Sequence, residues 1–433
     1  KNEHKLIYGQ PLYATTAGKV IRCWRNAPNN PAPGESHPGR LSTPKTIGGA
    51  GNFILLDIGN NQRELIAHMS PGSVPTSLCP FNKKFMTDAS DKSESTVPAG
   101  QQAKVKPGTF LGRVGNGGAS SGPHLHIDRS TKNGKPVPLP FDKFWTKSIA
   151  TNVDSPNQWK KAKNQALPPG KVAILPPFKS GSKEIARHGI PASQYQFIFN
   201  HITGSGYMPS WIDGFQSKGK VYYNAIFEPS NGQKWAAYHG LTAAQFQSKF
   251  DAFTKKRYRP KQVESYLVGT SIRYAVIFVK KRGPAFSAYH GKTATQHQQL
   301  FNQKTKAGYR PINISVVSVN GQRSYTGLYE KKNIGKYMAK SFLTPAKYQQ
   351  LSSKNLKNGK QLAYLNAYKH NGETRFTAIW NSATKGNFSA RHGLTSAEYQ
   401  RAWRDNTRNK RMTRIVTGYS QGNSVRYAAL WRK

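Results

Sequence analysis

The sequence is poor in cysteine and acidic residues and has no long hydrophobic run. No stretch approaches the roughly 20 apolar residues that are needed to cross a bilayer. Only 19 of the 433 residues are Asp or Glu, against 65 Lys and Arg, which gives a formal charge of +46. Such a charge predicts attraction to a polyanion, whether nucleic acid, an anionic wall polymer or an acidic membrane surface.

Two cysteines, Cys23 and Cys79, both lie in the first third of the chain and flank loop-like sequence. They are either two buried free thiols or a disulfide, and we expect the disulfide. A disulfide would place the protein outside the cytoplasm, so a secreted location, extracellular or periplasmic, is expected. The sequence opens at Lys1 with no visible signal peptide, which indicates a processed or truncated product.

The length exceeds what one ordinary core accommodates, so we expect a multidomain protein. A mainly antiparallel β domain is predicted at 1–175, a linker at 176–183, and an α+β repeat array at 184–433. The linker is predicted from its Pro and Lys content.

The N-terminal region carries the pattern of a β-hairpin. Strands are predicted at 52–58 and 64–69, joined by the turn Gly59-Asn60-Asn61. Further strands are expected at 109–114, 123–128 and 171–175, and a short helix at 159–163.

The segment Gly122-Pro123-His124-Leu125-His126 carries a candidate metal site. On a strand, residues two apart share a face, so His124 and His126 would point the same way and Leu125 and Ile127 into the core. Neutral imidazoles are good zinc ligands. The alternative is a pair of solvated or hydrogen-bonded histidines on an exposed strand.

Several segments preceding this motif have a characteristic order and spacing. They are Gly9-Gln10-Pro11-Leu12-Tyr13-Ala14, Gly18-Lys19-Val20, Gly51-Asn52-Phe53-Ile54-Leu55, Ala67-His68-Met69 and Leu111-Gly112-Arg113-Val114-Gly115-Asn116-Gly117-Gly118. Together with the histidine motif they resemble the lysostaphin-type (LytM-like) zinc endopeptidases, which cut peptide cross-bridges in bacterial cell walls. The resemblance implies a lysostaphin-like peptidase fold.

The resemblance also implies roles for three histidines. His126 would bind zinc, while His124 and His68 would flank the metal-bound water and orient it, deprotonate it or stabilise the oxyanion. Zinc would lower the pKa of that water and polarise the scissile carbonyl.

The family's remaining ligand pair, His-x-x-x-Asp, is incomplete in this chain. The Asp position falls on Glu3, and the His would lie before Lys1. His4 is a nearby candidate, but strand alternation would turn it away from Glu3. Glu3 is therefore predicted as a second metal ligand. Either the chain lacks an N-terminal piece, or the domain is degenerate and no longer binds metal.

From Glu184 onward the sequence repeats every 51 residues. One marker position is occupied by His188, His239, His290, Ser341 and His392, and another by Phe227, Phe278, Tyr329, Trp380 and Trp431. We expect five units, at about 184–229, 230–280, 281–331, 332–382 and 383–433.

The second unit shows the expected plan of each repeat. A strand at 235–238 precedes the turn His239-Gly240, Thr242 and Gln245 form a capping box, and Phe246, Phe250 and Phe253 share one helix face. Strands at 263–268 and 274–278 follow, which gives a β-α-β-β unit. One unit cannot bury its apolar face alone, so neighbours must stack, in an open or a closed array.

The repeats resemble a bacterial tandem-repeat family found beside β-lactamase-like and peptidase domains. The resemblance rests on the motif aromatic-x-Ala-x-His-Gly-Leu-Thr and on Arg273-Tyr274-Ala275 and its counterpart Arg426-Tyr427-Ala428. The repeat histidines could form a ring of ligands. We favour turn histidines that are hydrogen-bonded within each unit.

Three functions follow as hypotheses. The first is a secreted zinc metallopeptidase that hydrolyses peptidoglycan cross-links, with the basic repeats anchoring it to peptidoglycan or another anionic surface polymer. The repeats hold 40 Lys and Arg against 9 acidic residues. The second is a catalytically degenerate binding or structural protein of the cell surface. The third, a nucleic-acid binder, has no supporting motif.

Overall fold

The structure, a computed structural model, describes residues 7–30, 48–120, 122–148, 159–166, 172–175, 177–178 and 181–433. It is mostly β, built of small antiparallel sheets and few helices. Internal contacts divide the chain into two compact units. The first comprises residues 1–142 and 163–169, and the second comprises 143–162 and 170–433. Each is described by itself.

The N-terminal unit centres on a five-stranded antiparallel sheet. The strands along the chain are β1 (Pro11–Tyr13), β2 (Gly18–Trp24), β3 (Asn52–Gly59), β4 (Gln62–Met69), β5 (Lys104–Val105), β6 (Phe110–Arg113) and β7 (His126–Thr131). The sheet order is β5-β2-β3-β4-β7, while β1 pairs with β6. The predicted hairpin is confirmed as β3 and β4, and it forms because two apolar runs flank a turn of left-handed residues.

Side chains such as Val20, Ile54, Leu56 and Leu111 form the core of this unit and are fully buried. The core includes a disulfide between Cys23 on β2 and Cys79 in the long segment after β4. The expected disulfide is therefore confirmed. It fixes that irregular segment, which has only two short 3-10 turns, Lys92–Ser95 and Ala99–Gln101, against the sheet.

A second small sheet follows, formed by β8 (Phe141–Ser148), β9 (Lys160–Gln165) and β10 (Val172–Leu175), with β8 in the middle. The helix predicted at 159–163 is wrong, because β9 occupies it. Only Ala162 is buried in that strand, between exposed lysines. This strand lies at the edge of the sheet.

Each repeat folds as a strand, a helix and two further strands. The first strands are β11 (Ile185–Pro191), β14 (Trp235–Leu241), β17 (Phe286–Lys292), β20 (Tyr337–Leu343) and β23 (Phe388–Leu394). The helices are α1 (Ala192–Gly204), α2 (Ala243–Lys255), α3 (Ala294–Lys306), α4 (Pro345–Lys357) and α5 (Ser396–Arg408).

The second strands are β12 (Tyr207–Ser217), β15 (Arg259–Val268), β18 (Arg310–Val319), β21 (Gln361–His370) and β24 (Met412–Gln421). The third strands are β13 (Lys220–Pro229), β16 (Ser271–Val279), β19 (Gln322–Glu330), β22 (Glu373–Asn381) and β25 (Ser424–Arg432). In each repeat the third strand lies in the middle of the sheet.

Local sequence explains the helices. The capping boxes at Thr242, Thr293 and Thr395 are confirmed, each satisfying orphan N–H groups at a helix start. On α2 the predicted apolar face is also confirmed. Phe246 is buried, and Phe250 and Phe253 pack beside it against the sheet of the same repeat.

The array is closed, because the first and fifth repeats contact each other. The indole N–H of Trp211 donates to the carbonyl of Val416 at 2.8 Å. Glu184 accepts from both the N–H and the hydroxyl of Thr413, at 2.7 and 2.9 Å. Each second strand contacts the second strand of the next repeat, and β24 returns to β12. Five repeats thus form a ring around these strands.

A polar belt runs around the ring at one 51-residue position of the second strands. It consists of Asp213, Glu264, Ser315, Asn366 and Thr417, all buried. Ser315 Oγ accepts from the N–H of Ser265 in the preceding repeat at 3.0 Å. Asn366, Thr417 and Asp213 accept in the same way from the N–H groups of Val316, Ala367 and Gly418. Burial raises the pKa of both Asp213 and Glu264, and the charge of Asp213 raises that of Glu264 further.

The repeat histidines join neighbouring units. Nε2 of His290 donates to Gln247 Oε1 at 3.2 Å, and Gln247 lies on the helix of the preceding repeat. His392 bonds Gln349 in the same way. His188 of the first repeat bonds Ser396 of the fifth across the junction that closes the ring, which we call the seam. The prediction that these histidines are hydrogen-bonded within their own units is therefore wrong for these three, because the end of each first strand packs against the helix of the preceding repeat in the ring. Burial lowers the pKa of His188 to about 4.

None of the helices in the described part of the chain is long and apolar enough to cross a membrane.

Candidate metal centre

His126 is the first residue of β7, the edge strand of the five-stranded sheet. β7 pairs antiparallel with β4, and His126 lies opposite Ala67. The residue next to Ala67 is His68, so this pairing alone brings the two histidine segments together. The strand begins at His126 rather than at Pro123, and pairing does not extend to Leu125. The expectation that Leu125 points into the core is wrong, since 42% of its surface is exposed.

His68 lies at the end of β4 in a left-handed conformation, with φ +63°. Such a backbone costs on the order of 1–3 kcal/mol in a non-glycine residue and requires support from its surroundings. The N–H of His68 donates to Ala50 O at 3.0 Å, and its carbonyl accepts from Gly115 N–H at 2.8 Å. The side chain is buried, and this burial lowers the pKa of the imidazole, with the nearby His124 and His126 lowering it further.

Hydrogen bonds fix the tautomers of two histidines. Nδ1 of His68 lies 2.8 Å from Gly117 O, and Nδ1 of His124 lies 2.8 Å from Gly122 O. A carbonyl can only accept, so each Nδ1 carries the proton and each Nε2 keeps a lone pair. Ser120 Oγ, 3.2 Å from Nδ1 of His124, completes this support. Such partners orient metal-binding imidazoles in general.

The glycine-rich loop at 115–118 holds the Gly117 carbonyl in place by close backbone packing. A Cβ added at Gly118 would lie 2.4 Å from Gly51 N, and one at Gly115 would lie 2.4 Å from Ser70 N. Gly51 and Gly118 also have positive φ. Only glycine fits these positions. The side-chain amide of Asn30 donates to the carbonyls of Gly118 and Ser120 at 2.7 Å, which ties the loop to the chain after β2.

His68, His124 and His126 form one cluster. One nitrogen from each can be chosen so that all three lie within 4.8 Å of one another. The rings of His68 and His124 are 4.6 Å apart, and those of His68 and His126 are 5.7 Å apart. His124 and His126 are exposed, so the cluster opens to solvent. Three neutral imidazoles at this spacing suit zinc, with room for water or substrate.

The structure thus brings together three of the four predicted site residues. Glu3, the fourth, lies outside the described residues. The sequence interpretation missed the carbonyls of Gly117 and Gly122 and the hydroxyl of Ser120. The density of glycine and serine between 115 and 122 is the signal that could have found them.

The comparisons with known proteins concern both parts of the chain. A family model described as "Polyglycine hydrolase-like, structural repeat" matches residues 181–230, 232–281, 283–332, 335–383 and 385–433. These matches span more than half of the sequence. The chain belongs to this family. The polyglycine hydrolase-like repeats are the five units of the ring. No curated protein sequence matches the chain.

Solved structures also match. A mutant of the catalytic domain of EnpA, a prophage-encoded M23 protein from Enterococcus faecalis, is 21% identical, with 30% of this chain and 68% of that one covered and a TM-score of 0.18. A zinc-containing peptidase from Vibrio cholerae is 22% identical over 30% and 26%, with a TM-score of 0.17. Lysostaphin is 15% identical over 64% and 79%, with a TM-score of 0.19.

Proposed function

We propose that the N-terminal unit is a zinc-dependent endopeptidase that hydrolyses peptide bonds in peptidoglycan cross-links, and that the ring anchors it to an anionic cell surface. The observation that carries the proposal is the convergence of His68, His124 and His126. The Cys23–Cys79 disulfide supports a secreted protein, extracellular or periplasmic, because such bonds persist in oxidising compartments.

The donor set fits zinc. His126 would hold the ion from the sheet edge, and Glu3 remains the predicted second ligand. When bound, zinc would supply Lewis-acid polarisation of the scissile carbonyl and a more acidic water. In the neutral form of His68 and His124 the lone pair is on Nε2, because the Nδ1 proton is donated to a carbonyl. Either can therefore accept the proton that the attacking water loses and, once charged, stabilise the oxyanion.

Substitution of His126 tests this proposal. We expect His126→Ala to lose bound zinc, measured by atomic absorption on the purified chain, and to lower lysis of isolated cell walls by at least about a thousandfold. The matched control is His290→Ala, which removes an imidazole from the ring and should leave both zinc content and lysis unchanged.

A wild-type chain that folds normally, binds no zinc and does not lyse walls would refute the enzyme. If that chain still bound wall peptides, the domain would be the catalytically degenerate binding module that the sequence also allows. Retention of zinc by His126→Ala would instead show that the ligands lie elsewhere.

A further inference from the structure

The two sides of the ring are chemically different. In each repeat the starts of the first and second strands and the end of the third strand lie at the same edge of the sheet. In the second repeat, for example, Trp235 and Arg259, at the starts of their strands, both pair with Val279 at the end of the third strand. The helix runs back from the far end of the first strand, so its C-terminus lies at this edge too. Neighbouring second strands are bonded at corresponding positions, such as Ile212 to Gln262, so equivalent edges share one side of the ring.

We call the side with the last helical turns and the loops between consecutive repeats the loop face. We call the side with the hairpins between second and third strands, and with the turns before the helices, the hairpin face. Exposed cations on the loop face are Lys234, Lys255, Lys256, Arg257, Lys280, Lys281, Arg282, Lys306, Lys331, Lys332, Lys336, Lys354, Lys357, Lys385, Arg408, Lys410 and Lys433. Those on the hairpin face are Arg187, Lys218, Lys220, Lys340, Lys347, Lys369, Arg391 and Arg401, accompanied by exposed Glu373 and Glu398.

Helix dipoles account for only part of this difference. A cation in the last helical turn is favoured by the partial negative charge there, which explains positions such as Lys306 and Lys357. The loops 280–282 and 331–336 belong to no helix, yet they carry as dense a charge.

The described acidic residues of the loop face do not neutralise it. Glu228 pairs with Lys261 and Glu184 bonds Thr413. Glu330 pairs with Arg259 and Lys332, both at 2.6 Å, and Asp405 lies 3.8 Å from Arg408. Nearly all of the exposed cations therefore remain available to a ligand.

A groove of about 600 Å³ on this face concentrates the charge at the junction of the second and third repeats. It is lined by Arg257, Arg259 and the run Lys280-Lys281-Arg282. The aromatic rings in its wall are already covered, since Lys280 lies over Tyr258 at 5.7 Å and Arg259 over Phe286 at 5.7 Å. The groove thus offers charge without open stacking surfaces, which single-stranded nucleic-acid sites use.

We infer that the loop face is the docking surface of the ring for a linear anionic polymer of the cell surface that carries repeated phosphates and no bases. This inference rests on the proposed anchoring role of the ring and names the surface and the ligand chemistry. The hairpin face faces away from the polymer.

Two triple variants of the full chain with equal charge test it. The loop-face variant is Lys280→Gln, Lys281→Gln and Arg282→Gln. The control, on the hairpin face, is Lys218→Gln, Lys220→Gln and Lys369→Gln. All six side chains are exposed, so both variants should fold. Affinity for long-chain inorganic polyphosphate and for isolated cell walls is measured across a salt series.

We expect the loop-face variant to bind at least about tenfold more weakly at low salt, with the slope of log affinity against log salt reduced by about one for each lost phosphate contact. The control should stay within about twofold of the wild type. Equal losses in both variants would show that net charge acts without a preferred face, and no loss in either would also overturn the inference. Tighter binding to duplex DNA than to polyphosphate at equal phosphate concentration would overturn the ligand class.

The same variants, assayed on a soluble cross-link peptide, separate this inference from the proposed enzyme. Loss of wall binding with unchanged peptide hydrolysis supports both. A wild-type chain that hydrolyses nothing but still shows face-specific binding rejects the enzyme and leaves the docking surface standing.

Discussion

The N-terminal domain and the ring use histidine for opposite purposes. In the domain, His68 is distant in sequence from His124 and His126, yet all three side chains converge on one point. Nδ1 of His68 and Nδ1 of His124 bond backbone carbonyls, so their Nε2 atoms face the cluster without a hydrogen-bonded carbonyl. In the ring, histidines recur every 51 residues, and His290 and His392 use Nε2 to bond the preceding helix. Convergence produces a candidate metal centre, whereas repetition produces an interface and a charged surface.

The two regions also differ in how they are stabilised. The domain depends on single long-range ties, such as the Cys23–Cys79 disulfide and the buried ion pair of Glu64 and Arg129 at 2.6 Å. The ring distributes its stability over three aromatic-rich core clusters, the largest of which spans several repeats, and over five contacts between second strands. Loss of one such interaction should therefore lower the unfolding free energy of the domain far more than loss of one contact lowers that of the ring.

Removal of the disulfide tests that difference and has the largest expected effect. We expect Cys79→Ser to destabilise the N-terminal domain by about 3–4 kcal/mol, because the unfolded chain is no longer closed into a long loop. The unfolding transition of the ring should not move. Differential scanning calorimetry of the full chain measures both transitions. Cys23→Ser should reproduce the result, and an equal shift of the ring transition would contradict the separation of the two regions.

The sequence predicted best what depends on neighbours along the chain. The hairpin at 52–69 and the caps at Thr242 and Thr395 need only local turn chemistry and capping residues, and all are confirmed. The family resemblance, rather than any local rule, pointed to His68 as a partner of His126. Their proximity follows from the pairing of β4 with β7, which the pattern of neither strand specifies.

The features that could not be predicted from the sequence depend on how the repeats pack against one another. Closure of the ring follows from small rotations between repeats, and no motif encodes them. The partner of each repeat histidine lies on another unit because of that packing. Leu125 was misplaced because the strand begins at His126 rather than at Pro123, and burial alternates only where a strand is paired.

Acid should lower the unfolding free energy of the ring by protonating His188, and the expected effect is smaller than that of removing the disulfide. Burial lowers the pKa of His188 in the fold to about 4, below its ordinary value of about 6.5. Its contribution to stability is therefore complete above pH 6.5 and is lost as the pH falls toward 4. We expect a loss on the order of 2 kcal/mol after allowance for solvent screening.

Glu184, Asp213 and Glu264 have raised pKa values, so their protonation in acid stabilises the fold and opposes the effect of His188. The contribution of His188 is therefore measured as the difference between wild type and His188→Gln. The difference in unfolding free energy between the two proteins should shrink between pH 7.5 and 4.5, since glutamine does not titrate. An unchanged difference would mean that the seam of the ring does not bury a neutral imidazole.

The smallest expected effect concerns the one repeat that lacks the histidine-glycine turn. Phe342 occupies the glycine position with φ +62°, where Gly240, Gly291 and Gly393 have φ +69°, +65° and +74°. Its ring is 38% exposed and lies under the guanidinium groups of Arg323 and Arg375, at 4.2 and 4.9 Å.

Phe342→Gly would release about 1 kcal/mol or more of backbone strain and give up about 0.5–1 kcal/mol for each cation–π contact. We therefore expect denaturant unfolding of the ring to change by less than about 1 kcal/mol in either direction. The matched control is Gly291→Phe, where the residues equivalent to the two arginines are Ile272 and Ser324. It should cost about 1–2 kcal/mol, because the strain is added with no cation to offset it. Equal tolerance of both changes would show that the arginines contribute nothing, and that repetition in this ring is looser than its periodic sequence indicates.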